Sequence, residues 1–179
     1  MRKLTTTFSL CILLSPCFGQ AQRGVSLQLQ AQYNKTLYDY TAGNNPWSLG
    51  LGLQAFLQNR SRFKPTMELT GDLYLEDDKV FRSNPDGSFP ENSNRVDGMV
   101  NLFAGSTFHA TQGLYLSLLA GPSFISGKTL WGIKPSLGFS ISGNKKWTGK
   151  LSYINVFSRT KIVDEDFGSL SFAIGVRLF

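Results

Sequence analysis

Large apolar residues recur at every second position through most of this chain, and the last stretch shows it best. In Ser169–Phe179, Leu170, Phe172, Ile174, Val176 and Leu178 alternate with Ser169, Ser171, Ala173, Gly175 and Arg177. A period of two is that of a β-strand with unlike faces. No apolar run approaches the roughly 18 residues that a membrane-spanning helix needs. Any membrane crossing must therefore be made by strands. The stretch ends on an aromatic, Phe179, which suits a closed barrel whose last strand pairs with its first.

The same pattern recurs upstream. Val25–Tyr33 sets Val25, Leu27, Leu29 and Ala31 against Ser26, Gln28, Gln30 and Gln32. Further strands are expected at about Trp47–Gln58, Phe63–Leu75, Val100–Phe108, Leu114–Phe124, Trp131–Ile141 and Trp147–Tyr153. Phe103 breaks the alternation, and the pattern blurs at Asn155–Phe157, where a bulge or strand end is expected. The joints at Asn34–Pro46, Glu76–Gly98 and Arg159–Phe167 are long and rich in turn-forming or charged residues. Those at Asn59–Arg62, His109–Gly113, Ser126–Lys128 and Gly143–Lys145 are short. With the N-terminus in the periplasm, every long joint falls outside the cell, which is the order of outer-membrane barrels. The fold class expected is all-β: an eight-stranded antiparallel up-and-down transmembrane β-barrel.

Alternation alone does not say which face points outward. A soluble barrel puts its apolar rows inside, whereas a membrane barrel turns them to lipid. The polar rows here are Gln, Ser, Thr and Gly with few charges, unlike a water-facing surface. Trp47, Trp131 and Trp147, with Phe63 and Phe124, lie near strand ends, where an aromatic girdle would sit. Lipid is the reading we favour.

The N-terminus has the form of a Sec-type export signal. Arg2-Lys3 precedes the apolar Phe8–Leu14, and Gly19-Gln20-Ala21 offers small residues for cleavage. Residues 1–21 are expected to be removed, leaving the barrel on 22–179. Lipidation of Cys17, in Leu14-Ser15-Pro16-Cys17, is the alternative. Both cysteines lie in this segment, so no disulfide framework is expected. Without Arg2 and Lys3 the formal charge of +6 falls to about +4. The remaining cations are scattered singly, which argues against a nucleic-acid partner.

The export signal, the Gly-rich strands and the ending Gly-Val-Arg-Leu-Phe179 resemble the small eight-stranded outer-membrane barrels of the OmpA/OmpX-like kind found in Bacteroidetes-type bacteria. The resemblance implies a cell outer-membrane location and contact with lipid and lipopolysaccharide. It does not imply an activity. Some barrels of this size are lipid A deacylases with a His-x-Ser-Asn motif. The single histidine here, His109, is followed by Ala110-Thr111-Gln112, so the motif is absent.

Eight strands leave an interior that side chains can fill. By alternation, Lys64, Glu68, Asp72, Lys134, Lys150 and Arg177 point inward, and there they must be paired or hydrated. We expect them to form a polar network that closes the lumen, with a narrow ion or small-solute channel as the alternative. Glu76-Asp77-Asp78 and Asp164-Glu165-Asp166 are acidic clusters on extracellular joints. They are solvated loop charge, or less commonly carboxylates for a divalent cation bridging to lipopolysaccharide phosphates. Neither a zinc ligand set nor a phosphate-cradling glycine loop is present in the sequence, and no cofactor is expected. The function expected is a non-enzymatic structural, adhesive or interaction module. Tyr38, Tyr40, Phe81 and Phe89 are the loop aromatics that could meet a protein partner.

Overall fold

The alternating segments become strands whose edges are all paired with one another. The computed structural model describes residues 24–38, 47–75, 96–125, 127–141, 146–158 and 166–178. The strands are β1 (Val25–Tyr38), β2 (Trp47–Leu57), β3 (Phe63–Leu75), β4 (Val96–His109), β5 (Leu114–Ile125), β6 (Lys128–Ser140), β7 (Trp147–Val156) and β8 (Phe167–Arg177). Each is antiparallel to its neighbours in sequence. β1 also pairs with β8, from Gln28 opposite Arg177 to Lys35 opposite Leu170, with a bulge between Thr36 and Tyr38. The sheet is therefore a closed eight-stranded barrel. Closure removes the free strand edges that an open sheet would leave.

β1, β4 and β6 run further than the alternation indicates. β1 continues through Asn34–Tyr38, β4 starts at Val96, and β6 at Lys128. In the β1 extension the outward row is mixed: Lys35 sits there, opposite Trp47 and Leu170, two residues before exposed Leu37. Backbone pairing persists where side-chain polarity no longer reports it.

The barrel has two unlike ends. Joints 39–46, 76–95, 126–127 and 157–166 lie at one, the loop end. Joints 58–62, 110–113 and 141–146 lie at the other, the turn end, together with both described termini. Gly127, in the shortest loop-end joint, has φ 76°, where a side chain would be strained.

The polarity of the barrel is inverted relative to a soluble protein. Leu51 is 66% exposed and Leu118 65%, and the other outward leucines, phenylalanines and isoleucines form a band with them. Aromatics border that band at both ends. Tyr33 stacks on Trp47 at 6.3 Å near the loop end, where Trp131 and Phe124 also face outward. Phe63 packs on Phe108 at 4.9 Å near the turn end, where Trp147 is exposed on another strand. So large an exposed apolar surface needs a covering, and a band with aromatic borders is the surface that strands present to lipid.

The interior holds Gln, Ser, Thr and Asn, as the alternation indicates, together with an apolar group that the alternation does not indicate. Tyr74, Met99, Phe103, Leu119, Ile125, Ile154, Val156 and Phe167 form one buried cluster towards the loop end. Phe103 is 0% exposed, and Tyr74 meets Phe167 edge-on at 5.4 Å. The break in the pattern at Phe103 is a ring turned into the lumen. The blur near Asn155 is the end of β7, where Ile154 and Val156 join the same cluster.

Candidate functional site

Three inward rows meet in the middle of the barrel. On β3, Glu68 and Asp72 are four residues apart on one face, about 13 Å along an extended strand. Lys134 of β6 and Lys150 of β7 reach across the bore. Lys134 Nζ donates to Glu68 Oε1 at 2.5 Å, and Lys150 Nζ donates to Glu68 Oε2 at 2.6 Å. Lys150 Nζ also donates to Gln54 Oε1 of β2 at 3.3 Å. Glu68, Lys134 and Lys150 are at most 1% exposed. The two carboxylate oxygens thus bridge two ammonium groups from the wall opposite β3. No side chain in this triad has a neighbour in sequence that could supply the same contact, so only barrel closure assembles it.

Asp72 lies closer to the loop end and is held by amides. Gln32 Nε2 donates to its Oδ1 at 2.5 Å and Asn34 Nδ2 at 2.7 Å, while Asn101 Nδ2 reaches Oδ2 at 3.3 Å. Asn34 Nδ2 also donates to Ser48 Oγ at 2.7 Å. With Asp72 counted, the deep interior carries two carboxylates and two ammoniums, so its formal charges balance.

Lys64 and Arg177 lie elsewhere. Arg177 keeps the inward parity of β8, with its Cα opposite Gln28, yet it is exposed at the turn end because the strand has run past the rim. Lys64 is half-buried at the same end and donates to Gln58 Oε1 at 2.7 Å. Both line a cavity of about 560 Å³ that opens at the turn end. Its inner wall is aromatic. Phe56 meets Tyr115 at 5.9 Å and His109 at 6.2 Å, and His109 meets Tyr115 at 5.6 Å.

Gly138 lets that wall form, because a Cβ there would run into the Tyr115 ring. Gly138→Ala is expected to lower stability by about 1–3 kcal/mol, the usual cost of overpacking. Urea unfolding in detergent micelles would measure it, and an unchanged midpoint would show that the ring moves freely.

From the turn end to the loop end, the bore is an open vestibule, an aromatic wall, the charged triad and the apolar cluster. Gln54, Gln32, Asn34 and Asn101 belong to the polar interior but were not singled out from the sequence. Their inward parity was the available signal. The apolar cluster also had a signal, in doublets that interrupt the period: Leu102-Phe103, Leu118-Leu119, Phe124-Ile125 and Tyr153-Ile154.

Of the acidic clusters, only Asp166 lies among the described residues. Its Oδ1 accepts from the Ser158 backbone N–H and its Oδ2 from Asn155 Nδ2, both at 3.1 Å. It tethers the two ends of the β7–β8 connection, where Ser158 adopts φ 55°. Glu76, Asp77, Asp78, Asp164 and Glu165 lie outside the described residues, as do Tyr40, Phe81, Phe89, Phe179, residues 1–23 and the side chain of Tyr38. Among the described residues, no group of three His, Cys, Asp or Glu side chains could hold a metal ion. His109 is packed among rings at the turn end, and neither a serine nor a carboxylate is recorded in contact with it.

No protein-family model matches the chain, and no curated protein matches it in sequence. Solved structures do match. The outer membrane protein Ail of Yersinia pestis, determined in a phospholipid bilayer nanodisc, aligns over 87% of this chain and 100% of its own, with TM-score 0.56 and 13% identity. A crystal structure of the same attachment invasion locus protein, in complex with the heparin analogue sucrose octasulfate, aligns over 88% of this chain and 100% of its own, with TM-score 0.53 and 15% identity. At such identity the likeness is one of fold: this chain is an eight-stranded antiparallel closed β-barrel resembling known outer-membrane barrel proteins.

Proposed function

We propose that this protein is a non-enzymatic barrel of the outer membrane, with a closed lumen, that acts through its loop end as a structural, adhesive or interaction module. The observation that carries the reading is the inverted barrel itself. Its apolar rows face out, while an ion triad, balanced by Asp72, and an apolar cluster fill the bore. An outward apolar band supports a lipid surround, and the filled interior supports closure. What then remains for a partner is the set of joints at the loop end, which on this reading faces the cell exterior. The export signal on residues 1–21 would deliver the chain there.

The character of that surface differs from a polyanion receptor. In joints 76–95 and 159–166 acidic residues outnumber basic ones. A solved neighbour in fold was crystallised with a heparin analogue; joints of this charge fit instead a basic protein surface, or lipopolysaccharide phosphates bridged by divalent cations.

Expressed in a Gram-negative host, the protein is expected in the outer-membrane fraction, with a gel mobility in detergent that changes on boiling. Replacing 76–95 by a short turn is expected to abolish adherence of the expressing cells while keeping the heat-dependent mobility. Recovery as a soluble monomer without detergent would end the membrane reading. Adherence unchanged by the loop replacement would end the adhesive one.

Closure makes a separate prediction. In planar bilayers the purified barrel is expected to be electrically silent at high protein load. Ion-selective steps that change with Lys134→Glu or Lys150→Glu would replace a closed lumen with a narrow channel.

A further inference from the structure

The vestibule at the turn end has a charge unlike the rest of the bore. Arg60, Arg62, Lys64 and Arg177 line its mouth, and no carboxylate lies among the described residues of its lining. The triad behind it carries one more positive charge than negative, matched only by Asp72 further towards the loop end, so the deep interior does not offset this positive field. Guanidinium groups on a concave, partly walled surface focus potential into the cavity and offer paired donors to planar oxyanions.

A second observation points to a ligand. Tyr115 lines the inner wall, is 6% exposed, and its hydroxyl is buried without a hydrogen-bond partner. His109 Nε2, in the same wall, is likewise buried and without one. Buried polar atoms are as a rule hydrogen-bonded; other interior hydroxyls and amides of this barrel also lack a partner, and of that set these two and Asn59 Oδ1 belong to residues lining the basic cavity. These two stand at the floor of a basic cavity of about 560 Å³, which is room for a small molecule and too little for a folded partner.

We propose that the vestibule binds a small polyanion carrying at least two phosphate or carboxylate charges. Its anionic groups are held by Arg62 and Arg177 at the mouth, with the Tyr115 hydroxyl donating to it from the floor. That the ligand would come from the periplasm rests on the orientation proposed above; the binding itself does not.

The test is calorimetric titration of the full-length, detergent-purified barrel at low ionic strength with inorganic pyrophosphate and, separately, with citrate. Saturable binding of at least one is expected. Pyrophosphate alone would identify a phosphate ligand and citrate alone a carboxylate. Arg62→Gln with Arg177→Gln is expected to weaken binding at least tenfold. Tyr115→Phe keeps the ring and is expected to weaken it severalfold, an effect that diffuse attraction to surface arginines would not produce. Lys35→Gln, which removes a cation from the lipid-facing row, serves as the control and should leave binding unchanged. Each variant is first checked for the heat-dependent mobility of a folded barrel. No saturable binding of either anion, or binding that the arginine pair does not alter, would overturn the proposal. Because it is read on purified protein, a negative result leaves the adhesive reading untouched, and loss of that reading leaves this one standing.

Discussion

Glu68→Ala is expected to cost about 3–5 kcal/mol of barrel stability, read as a fall in the urea midpoint in detergent micelles, because removing one side of a buried ion pair leaves the other charge uncompensated. Here two ammoniums would be left, Lys134 and Lys150, both virtually unexposed and both drawn towards the same place. Lys150→Met should cost less, since Glu68 keeps Lys134 at 2.5 Å. The decisive variant removes all four interior charges. Glu68→Gln and Asp72→Asn with Lys134→Met and Lys150→Met should return close to the parent or exceed it, because a buried ion group replaced whole by matched neutral side chains is often neutral or stabilising by about 1–4 kcal/mol. If Glu68→Ala unfolds at the parent midpoint, water reaches the triad and the lumen is not closed at that level. If the quadruple variant is as unstable as Glu68→Ala, the cost lies in lost packing, and the buried charges are not its source.

That contrast bears on what the charges are for. An ion triad spanning the bore adds little net stability over an apolar filling, and an apolar cluster already occupies part of the interior towards the loop end. Glu68 can be satisfied at this geometry only when β3, β6 and β7 stand in one register, so the triad can select that register among closures of similar burial. A barrel closes in a single step of β1 onto β8, and a slip by one residue would turn every side chain to the wrong face. On the closed-lumen reading proposed above, the same three charges also fill a bore that Gln, Ser and Thr alone would leave wettable.

The sequence makes some of this legible and hides the rest for physical reasons. The outward rows are legible because lipid contact demands apolar residues at each outward position, which leaves an uninterrupted period of two. The inward parity of Glu68, Lys134 and Lys150 follows from the same count. Their meeting does not, because parity gives a face and not a height, and height depends on how far each strand is staggered around the barrel. Lys64 and Arg177 share that parity, yet they sit at the rim. The Phe103–Phe167 cluster is obscured for another reason: an inward apolar residue beside an outward one reads as noise in the alternation, and only the doublets betray it. Lys35 shows the reverse case, an outward polar residue on a strand whose hydrogen bonds continue past the apolar band.

Leu51→Arg sets the lipid reading against its soluble rival most sharply, because the two expect stability effects of very different size. Leu51 lies in mid-strand on β2, opposite Ala31 and Gly71, with 66% of its surface exposed. If that surface faces hydrocarbon, a cation there has no counter-charge within the band and must snorkel or draw water inward. Arginine near the bilayer midplane of a membrane barrel costs about 2–4 kcal/mol, and close to 0–1 kcal/mol near the interface. Leu51→Arg is therefore expected to lower the unfolding free energy of the barrel folded into phospholipid vesicles by about 2–4 kcal/mol. Phe63→Arg, at the turn-end border beside Phe108, should cost distinctly less for its charge, although it also loses a ring contact at 4.9 Å. In a soluble barrel the order would differ, because exchanging an exposed leucine for arginine in water changes stability by no more than about 0.5 kcal/mol and improves solubility. The measurement is urea unfolding followed by tryptophan fluorescence, with Trp47, Trp131 and Trp147 as reporters in the border regions. A penalty that is large at Leu51 and at Leu118→Arg, and small at the border, would map the hydrocarbon band onto the barrel by depth. A penalty independent of depth would mean that the exposed apolar face meets something other than a bilayer.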